Sequence, residues 1–192
     1  MHRNDWFATP IWHEDLLVED SVINYLSDYW INVSKKEVST NHSNKGGWQS
    51  ESKTILDLDA EKILFNEIGK RVKEVSNQLG IHYPIRLVNY WANINYKNSY
   101  NVEHIHNRSI VSGVLYLNIP NDDCGSITFS CDSTKQFILD TYTDGSTPLS
   151  KSSVSYSPKS KRLLLFPSWV THRVENNNTD QLRISISFNF TY

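Results

Sequence analysis

This sequence of 192 residues has little excess of either charge, only two cysteines and no long apolar run. No apolar stretch approaches the roughly 20 residues that span a bilayer, so we expect no membrane segment. The net charge of −2 leaves no basic excess for binding a membrane surface or nucleic acid. Cys124 and Cys131 could pair across a hairpin, but residues 1–6 lack the apolar core of a signal peptide. We therefore expect two reduced thiols in a cytoplasmic protein.

What is present is an ordinary globular composition with many aromatic residues. Hydrophobic residues make up 39% of the chain and charged residues 21%, and there are six Trp, ten Tyr and seven Phe. Such a content suits a β-rich core or an aromatic-lined pocket. The length fits one domain over residues 1–192.

Two helices are predicted in the first half of the chain. Apolar residues recur at three- and four-residue steps over about 21–33 and again over about 57–80. Asp57 or Asp59 is expected to cap the second helix, and Gly80 to end it. We expect these helices to form a scaffold over about 20–80. Trp48, beside two glycines, is interpreted locally as the buried anchor of a loop, with the wall of a site as the alternative.

Short strands separated by turns dominate the rest of the chain and favour a sandwich or barrel core over about 85–192. The strands are predicted over 85–95, 110–119, 126–131, 154–156, 161–166, 170–174 and 182–191. Residues 6–12 add an edge strand that contains Pro10. The polar residues 132–152 are interpreted as a variable insertion.

Three histidines carry the first chemical hypothesis. His104 and His106 stand two residues apart in a strand-like stretch, so both imidazoles can point to one side. His172 follows a buried strand and a tight turn far downstream. Imidazole suits Fe, Zn, Cu and Ni, and three such ligands would leave coordination positions open for substrate and oxygen. Each motif alone is weak, and surface histidines are the alternative.

A polar strand face carries the second hypothesis. In the segment 182–190 apolar and polar residues alternate strictly, which places Arg183, Ser185, Ser187 and Asn189 on one face. Taken alone, this strand is expected to turn its polar face to water. Inside a barrel, however, Arg183 could bind a carboxylate, with the hydroxyls of Ser185 and Tyr116 completing the cradle. Trp91, Asn93 and Asn95 likewise share one face, which is either solvated or lines a polar cavity.

The order of these motifs resembles that of the 2-oxoglutarate- and Fe(II)-dependent oxygenases, in particular a subgroup found in bacteria and their phages. The matching segments are 7–12, 47–50, 91–95, the His104 and His106 pair, 112–116, 164–169 and 183–189. The resemblance spans most of the chain except residues 132–152.

The resemblance implies a mainly β protein with flanking α-helices, a double-stranded β-helix or jelly roll of the cupin type. It implies an enzyme, a hydroxylase that converts 2-oxoglutarate to succinate and CO2 while it oxidises its substrate. His104 and His172 would bind Fe(II), and Arg183, helped by Ser185 and Tyr116, would bind the far carboxylate of 2-oxoglutarate. Asn93 and Asn95 become candidates for contact with the co-substrate or the substrate.

His106 departs from the commoner family pattern, which has Asp or Glu at this position. If His106 is the third ligand, three neutral imidazoles leave the iron its full positive charge. If it is not, Glu103 or water takes the place, although a regular strand would point Glu103 to the opposite side.

Three functions remain open on the sequence. The first is a 2-oxoglutarate-dependent hydroxylase. The second is a three-histidine cupin-like metalloenzyme that does not use 2-oxoglutarate, such as a thiol dioxygenase. The third is a non-enzymatic jelly-roll module for binding or structure.

The substrate is open as well. Trp48, Trp91 and Trp169 are candidates for contacting a small molecule or a peptide side chain. Nucleic acid is not an expected partner, and the oligomeric state is open, a homodimer included.

Overall fold

The computed structural model describes residues 2–40, 42–120 and 123–192, which form helices and strands in a mainly β arrangement. The helices are α1 (Asp20–Ser34), α2 (Asp59–Gln78) and α3 (Ser133–Tyr142). The strands are β1 (Trp12–Asp15), β2 (Asn44–Lys45), β3 (Trp48–Gln49), β4 (Arg86–Asn95), β5 (Tyr100–His104), β6 (Val111–Tyr116), β7 (Ile127–Ser130), β8 (Ser153–Tyr156), β9 (Arg162–Pro167), β10 (His172–Val174) and β11 (Arg183–Thr191).

The strands form two antiparallel sheets. The major sheet has the order β1-β9-β6-β11-β4-β3 and the minor sheet the order β2-β5-β10-β7-β8. From β4 to β11 the chain crosses repeatedly from one sheet to the other, as it does in a jelly roll. Apolar side chains of both sheets meet between them, for example Phe129 of the minor sheet against Phe166 of the major sheet, with ring centres 4.9 Å apart. The expected double-stranded β-helix is confirmed.

Helices α1 and α2 cover the outer face of the major sheet. Ile184, Ile186 and Phe188 of β11 are fully buried there, in one cluster with residues of both helices such as Trp30 and Leu64. The strict alternation of β11 explains this arrangement, because every second side chain points to the helices. The intervening polar side chains therefore point to the space between the sheets, not to water as that strand alone suggested.

The start of α2 corrects one prediction. Neither Asp57 nor Asp59 caps the helix; instead the buried carboxylate of Glu61 accepts hydrogen bonds from the amides of Asp57 (3.1 Å) and Leu58 (3.2 Å). A residue in the first turn thus satisfies the free amides that precede it. The helix ends at Gln78, and Gly80 adopts a φ of +71°, as expected for a terminating glycine.

The remaining differences are local. The N-terminal edge strand begins only at Trp12, after Pro10, and it pairs with β9. The insertion at 132–152 contains helix α3, which has no buried residue. Cys124 and Cys131 are both free thiols. Within the part of the chain that is described, no helix is long and apolar enough to cross a membrane.

Candidate metal centre and co-substrate pocket

The imidazoles of His104, His106 and His172 lie together between the two sheets. One nitrogen of each falls within 4.8 Å of the other two. His104 ends β5 and His172 begins β10, and the two residues are direct partners in the antiparallel pairing of these strands. His106 lies beyond the end of β5, where its amide donates to the Ser168 carbonyl at 2.9 Å. Antiparallel pairing therefore joins ligands that are distant in sequence.

Backbone carbonyls determine which nitrogen of each strand histidine is free. Nδ1 of His104 donates to the carbonyl of Val102 at 2.7 Å, and Nδ1 of His172 donates to that of Val170 at 2.9 Å. Nε2 of each ring therefore keeps its lone pair for a metal. Nε2 of His106 lies 3.2 Å from Nε2 of His172. Two metal–nitrogen bonds of about 2.1 Å at right angles place their nitrogens about 3 Å apart, so this spacing suits two ligands of one ion.

Burial keeps these imidazoles neutral. It lowers the pKa of His172 to about 3 and that of His106 to about 4, and it lowers the pKa of His104 as well. The positive forms of neighbouring histidines would repel one another, which adds to the shift for His106 and His172. A metal ligand must be deprotonated, so the set is ready to bind a cation at neutral pH.

Glu103 does not join this cluster. Its carboxylate accepts a hydrogen bond from Ser130 at 3.0 Å and lies 3.7 Å from the guanidinium of Arg173, on the outer side of the minor sheet. This agrees with the opposite direction expected for the residue before His104. The metal-binding atoms that the described residues bring together here are therefore nitrogens only.

Arg183 is a buried cation in the same cavity. Its side chain is only 1% exposed, and burial lowers its pKa. Nη1 donates to three backbone carbonyls, those of Cys124, Gly125 (2.9 Å) and Glu175 (3.1 Å). Nη2 has no hydrogen-bond partner among the described residues, and none of them forms an ion pair with Arg183. A buried guanidinium without an ion pair is unfavourable, so an anion in the cavity would stabilise it.

Hydroxyl and amide side chains surround the guanidinium. In the register of the major sheet, Asn95 stands opposite Arg183, while Asn93 and Tyr116 flank Ser185 on either side. Burial raises the pKa of Tyr116 to about 12, so its phenol stays protonated and can donate. Asn93 donates from Nδ2 to Ser187 at 3.2 Å, but its buried Oδ1 has no partner in the described part of the chain.

One cavity contains all of these groups. Its lining residues are Ser43, Trp91, Asn93, Asn95, Asn101, His104, His106, Gly113, Val114, Tyr116, Ile127, Phe166, His172, Val174, Arg183, Ser185 and Ser187. The cavity thus combines three metal-binding imidazoles and one guanidinium with hydroxyl and amide groups and an aromatic and aliphatic wall.

The three candidate tryptophans have different positions. Trp91 lines the cavity, with its ring centre 5.6 Å from that of His106. Trp48 lies outside it, in the helix-facing core, where its ring centre is 6.3 Å from that of Trp30 and its Nε1 donates to the Glu37 carbonyl at 2.9 Å. This position matches the buried loop anchor. Trp169 is 61% exposed and does not line the cavity.

Comparison with known proteins shows the family of this chain. Residues 89–189, more than half of the chain, match the model of a family described as "Putative 2OG-Fe(II) oxygenase". The chain belongs to the 2OG-Fe(II) oxygenase family. The oxygenase therefore uses Fe(II) and 2-oxoglutarate, and the three neutral imidazoles and the unpaired guanidinium suit these two groups.

Solved structures of the same fold cover nearly the whole oxygenase. A prolyl-4-hydroxylase from Pseudomonas putida shares 14% identity with a TM-score of 0.70, over 95% of this chain and 92% of that one. The viral collagen prolyl hydroxylase from Paramecium bursaria Chlorella virus-1, in a 2OG complex, shares 12% with a TM-score of 0.61, over 94% of each chain.

HygX from Streptomyces hygroscopicus, with nickel and 2-oxoglutarate bound, shares 13% with a TM-score of 0.60, over 95% of this chain and 82% of that one. At these identities the likeness concerns the fold. The comparison with curated proteins found no relative by sequence.

Several residues of the oxygenase pocket were not predicted. The alternation of 182–190 places Ser187 on the same face as Arg183, but Ser187 was not among the candidates for the pocket. Ser43, just before β2, and Asn101, on β5, also line the pocket, and no local pattern marks them. The carbonyl of Gly125 accepts a hydrogen bond from Arg183, and main-chain contacts of this kind leave no mark in the sequence.

Proposed function

We propose that His104, His106 and His172 bind the Fe(II) of this oxygenase, and that Arg183 binds the far carboxylate of 2-oxoglutarate. The protein would then hydroxylate an organic substrate while 2-oxoglutarate is converted to succinate and CO2. Iron supplies the redox chemistry with O2 when it is bound. The protein supplies neutral ligands, an anchor for the keto acid and a pocket that limits access of water.

A single observation supports the anchor most strongly. The guanidinium of Arg183 is almost fully buried and has three carbonyl partners on Nη1, yet Nη2 has none within the described residues. An anionic acceptor in the cavity would satisfy that nitrogen and compensate the buried charge. A dicarboxylate with one end near the histidines and the other at Arg183 meets both needs.

The neighbouring hydroxyls have a matching role. The phenol of Tyr116 and the hydroxyl of Ser185 would donate to the same carboxylate, and Asn93 and Asn95 line the cavity beside them. Three neutral histidines leave the iron its double positive charge, which the dianionic keto acid balances. The buried, unpaired Oδ1 of Asn93 is an acceptor for a donor on the co-substrate or the substrate.

The substrate is proposed to be a small molecule or a peptide side chain that presents an uncharged group to the iron. Apart from Arg183 and the three histidines, the lining residues carry no ionisable group other than the neutral phenol of Tyr116. Trp91 is only partly buried and provides an aromatic wall next to His106. We further propose a cytoplasmic location, which two free thiols support.

Anaerobic titration tests the anchor. Fe(II)-loaded protein is titrated with 2-oxoglutarate while the visible absorption of the chelate is followed. Arg183→Ala should weaken keto-acid binding at least about tenfold, since a charge-assisted contact is lost, and leave Fe(II) affinity unchanged. Arg173→Ala, a half-exposed arginine of β10 on the outer face, is the matched control and should bind like wild type.

Succinate release distinguishes the remaining alternatives. Release that depends on 2-oxoglutarate, iron and oxygen supports the proposal. Metal binding without keto-acid binding would instead favour a three-histidine enzyme of another type. Protein that takes up no metal after reconstitution would favour a non-enzymatic module. Unchanged keto-acid affinity in Arg183→Ala would contradict the assigned anchor.

A further inference from the structure

Behind Arg183 three backbone carbonyls form a carbonyl cup, which we define as the carbonyls of Cys124, Gly125 and Glu175. All three accept hydrogen bonds from Nη1 of the guanidinium. Cys124 and Gly125 belong to the connection between β6 and β7, and Glu175 follows β10. The cup therefore exists only where two separate connections meet, against the guanidinium of Arg183, which lines the cavity.

Gly125 is the point of closest approach between these connections. It has a φ of +84°, a conformation that residues with a side chain rarely adopt. A Cβ at this position would lie 2.2 Å from the carbonyl oxygen of Glu175, 2.5 Å from that of Asn176 and 2.5 Å from Nη1 of Arg183. Two of these atoms are backbone, so any side chain would force the connections apart and open the cup.

Other hydrogen bonds hold the same two connections together. The amide of Glu175 donates to the Ser126 carbonyl at 2.9 Å, and the amide of Asn178 donates to the Asp123 carbonyl at 3.0 Å. The Asn178 side chain also donates from Nδ2 to the carboxylate of Asp123 at 2.9 Å. This last contact lies at the exposed surface, so it can be removed without adding an atom near Gly125.

We propose that Gly125 is a positioning residue, which fixes the depth of the Arg183 guanidinium and thereby the chain length of the keto diacid that the oxygenase accepts. The inference rests on the proposed function, because it takes Arg183 as the carboxylate anchor. Nη1 is held on three sides, so the guanidinium cannot follow a carboxylate that stands closer to the metal. A rigid anchor at one depth should select 2-oxoglutarate over oxaloacetate, which is one carbon shorter. A guanidinium released from the cup can adjust to either acid.

Anaerobic binding of the two keto acids to Fe(II)-loaded protein tests this inference. Gly125→Ala should weaken the binding of 2-oxoglutarate at least about tenfold. It should weaken the binding of oxaloacetate much less, so that the ratio of the two affinities falls. The Fe(II) affinity should be unchanged. Asn178→Ala should shift the preference in the same direction by a smaller factor. Gly145→Ala is the matched control, because Gly145 also has a positive φ, +64°, but a Cβ there meets nothing within 4 Å.

The outcomes separate positioning from a general loss of structure. Wild-type affinity and preference in folded Gly125→Ala would overturn the inference. So would a parallel loss of both keto acids and of Fe(II) affinity, which is what a merely structural role predicts. If Gly125→Ala does not fold, an unchanged preference in Asn178→Ala overturns the inference. Failure of the proposed function looks different: wild type would not bind 2-oxoglutarate, or Arg183→Ala would bind it normally, and both proposals would then fall.

Discussion

Nε2 of His106 and Nε2 of His172 lie 3.2 Å apart, although these residues are 66 positions apart in the chain. Nδ1 of His172 donates to a backbone carbonyl, so its Nε2 has no proton. The contact is thus either a hydrogen bond from His106 or, with a metal present, a pair of ligands on one ion. The resemblance in sequence implies a carboxylate at position 106 in the commoner pattern, whereas in this oxygenase a neutral imidazole lies there beside the other two histidines.

Substitution of His106 tests whether it is the third ligand. His106→Ala should weaken Fe(II) binding by more than about tenfold, because even the partners that only orient metal ligands typically contribute that much. His106→Asp should recover much of this affinity, since a carboxylate is an equally good ligand and adds a negative charge. Competition with a chelator measures the dissociation constant. Glu103→Gln is the control, and an Fe(II) affinity in His106→Ala equal to that of the control would remove His106 from the ligand set.

The lowered histidine pKa values predict how the metal-free protein responds to acid. The pKa is about 3 for His172 and about 4 for His106 in the folded protein, against about 6.5 in an unfolded chain. Between these values the unfolded chain binds protons that the folded protein does not. The free energy of unfolding should therefore fall as the pH drops from about 6.5 towards 4, and stay level above 7.

Thermal unfolding in a chelator across this pH range measures the effect, and His172→Gln should show a shallower slope. Hydrogen bonds from Arg71 and from Lys159 lower the pKa of Glu14 and of Asp15 below their ordinary values of 4.5 and 3.8. The stabilisation from these two carboxylates is therefore lost mainly below about pH 4.5, so the slope between about pH 6.5 and 5 is the one to compare. An equal slope in wild type and His172→Gln would contradict the assigned cause.

Much of the fold could be predicted from the sequence, because the periodicity of apolar residues marks each long strand and helix locally. The alternation in 182–190 predicts β11 and the common direction of Arg183 and Ser185, and both hold. The helical stripes predict α1 and α2 to within a few residues. The sequence of β11 alone does not determine which of its two sides faces the interior of the barrel. Helices α1 and α2 already cover the apolar side, so the polar side must face the minor sheet.

Other features depend on contacts between distant segments. The cap of α2 comes from Glu61, whose carboxylate is buried, whereas short-range preference favours the aspartates before it. Trp48 and Trp91 were both candidates for contacting the substrate, but β3 pairs with β4 in a register that turns Trp48 to the helices. The carbonyl cup behind Arg183 is made of main chain, and side-chain identity carries little information about it.

The cap at Glu61 yields a prediction on stability. Glu61→Ala leaves the amides of Asp57 and Leu58 without their acceptor and should lower the free energy of unfolding by about 1–2 kcal/mol. Chemical denaturation measures it, and Fe(II) affinity should be unchanged because α2 packs on the far side of the major sheet. Glu67→Ala removes only surface ion pairs with Lys70 and Arg71, and should cost less than about 1 kcal/mol. Equal losses in the two variants would show that the buried carboxylate is not a cap.

Tyr116 allows a test of the anchor that leaves its charge in place. Tyr116→Phe removes one donor from the proposed carboxylate cradle while Arg183 remains. A hydrogen bond to a charged group contributes about 1.5–3 kcal/mol, so 2-oxoglutarate should bind at least about tenfold more weakly. Fe(II) affinity should not change.

Tyr90→Phe is the matched control, because that buried phenol donates to the Ile55 carbonyl on the helix side. It should reduce stability and leave keto-acid binding intact. The pH dependence adds an independent check. With its pKa raised to about 12 by burial, the phenol of Tyr116 stays protonated throughout the usable range. The affinity of wild type for 2-oxoglutarate should therefore show no loss from phenol ionisation up to about pH 10, near the ordinary pKa of tyrosine. Wild-type affinity in Tyr116→Phe would mean that Arg183 binds the carboxylate without this phenol, and that the hydroxyl of Ser185 is the remaining candidate for a second donor.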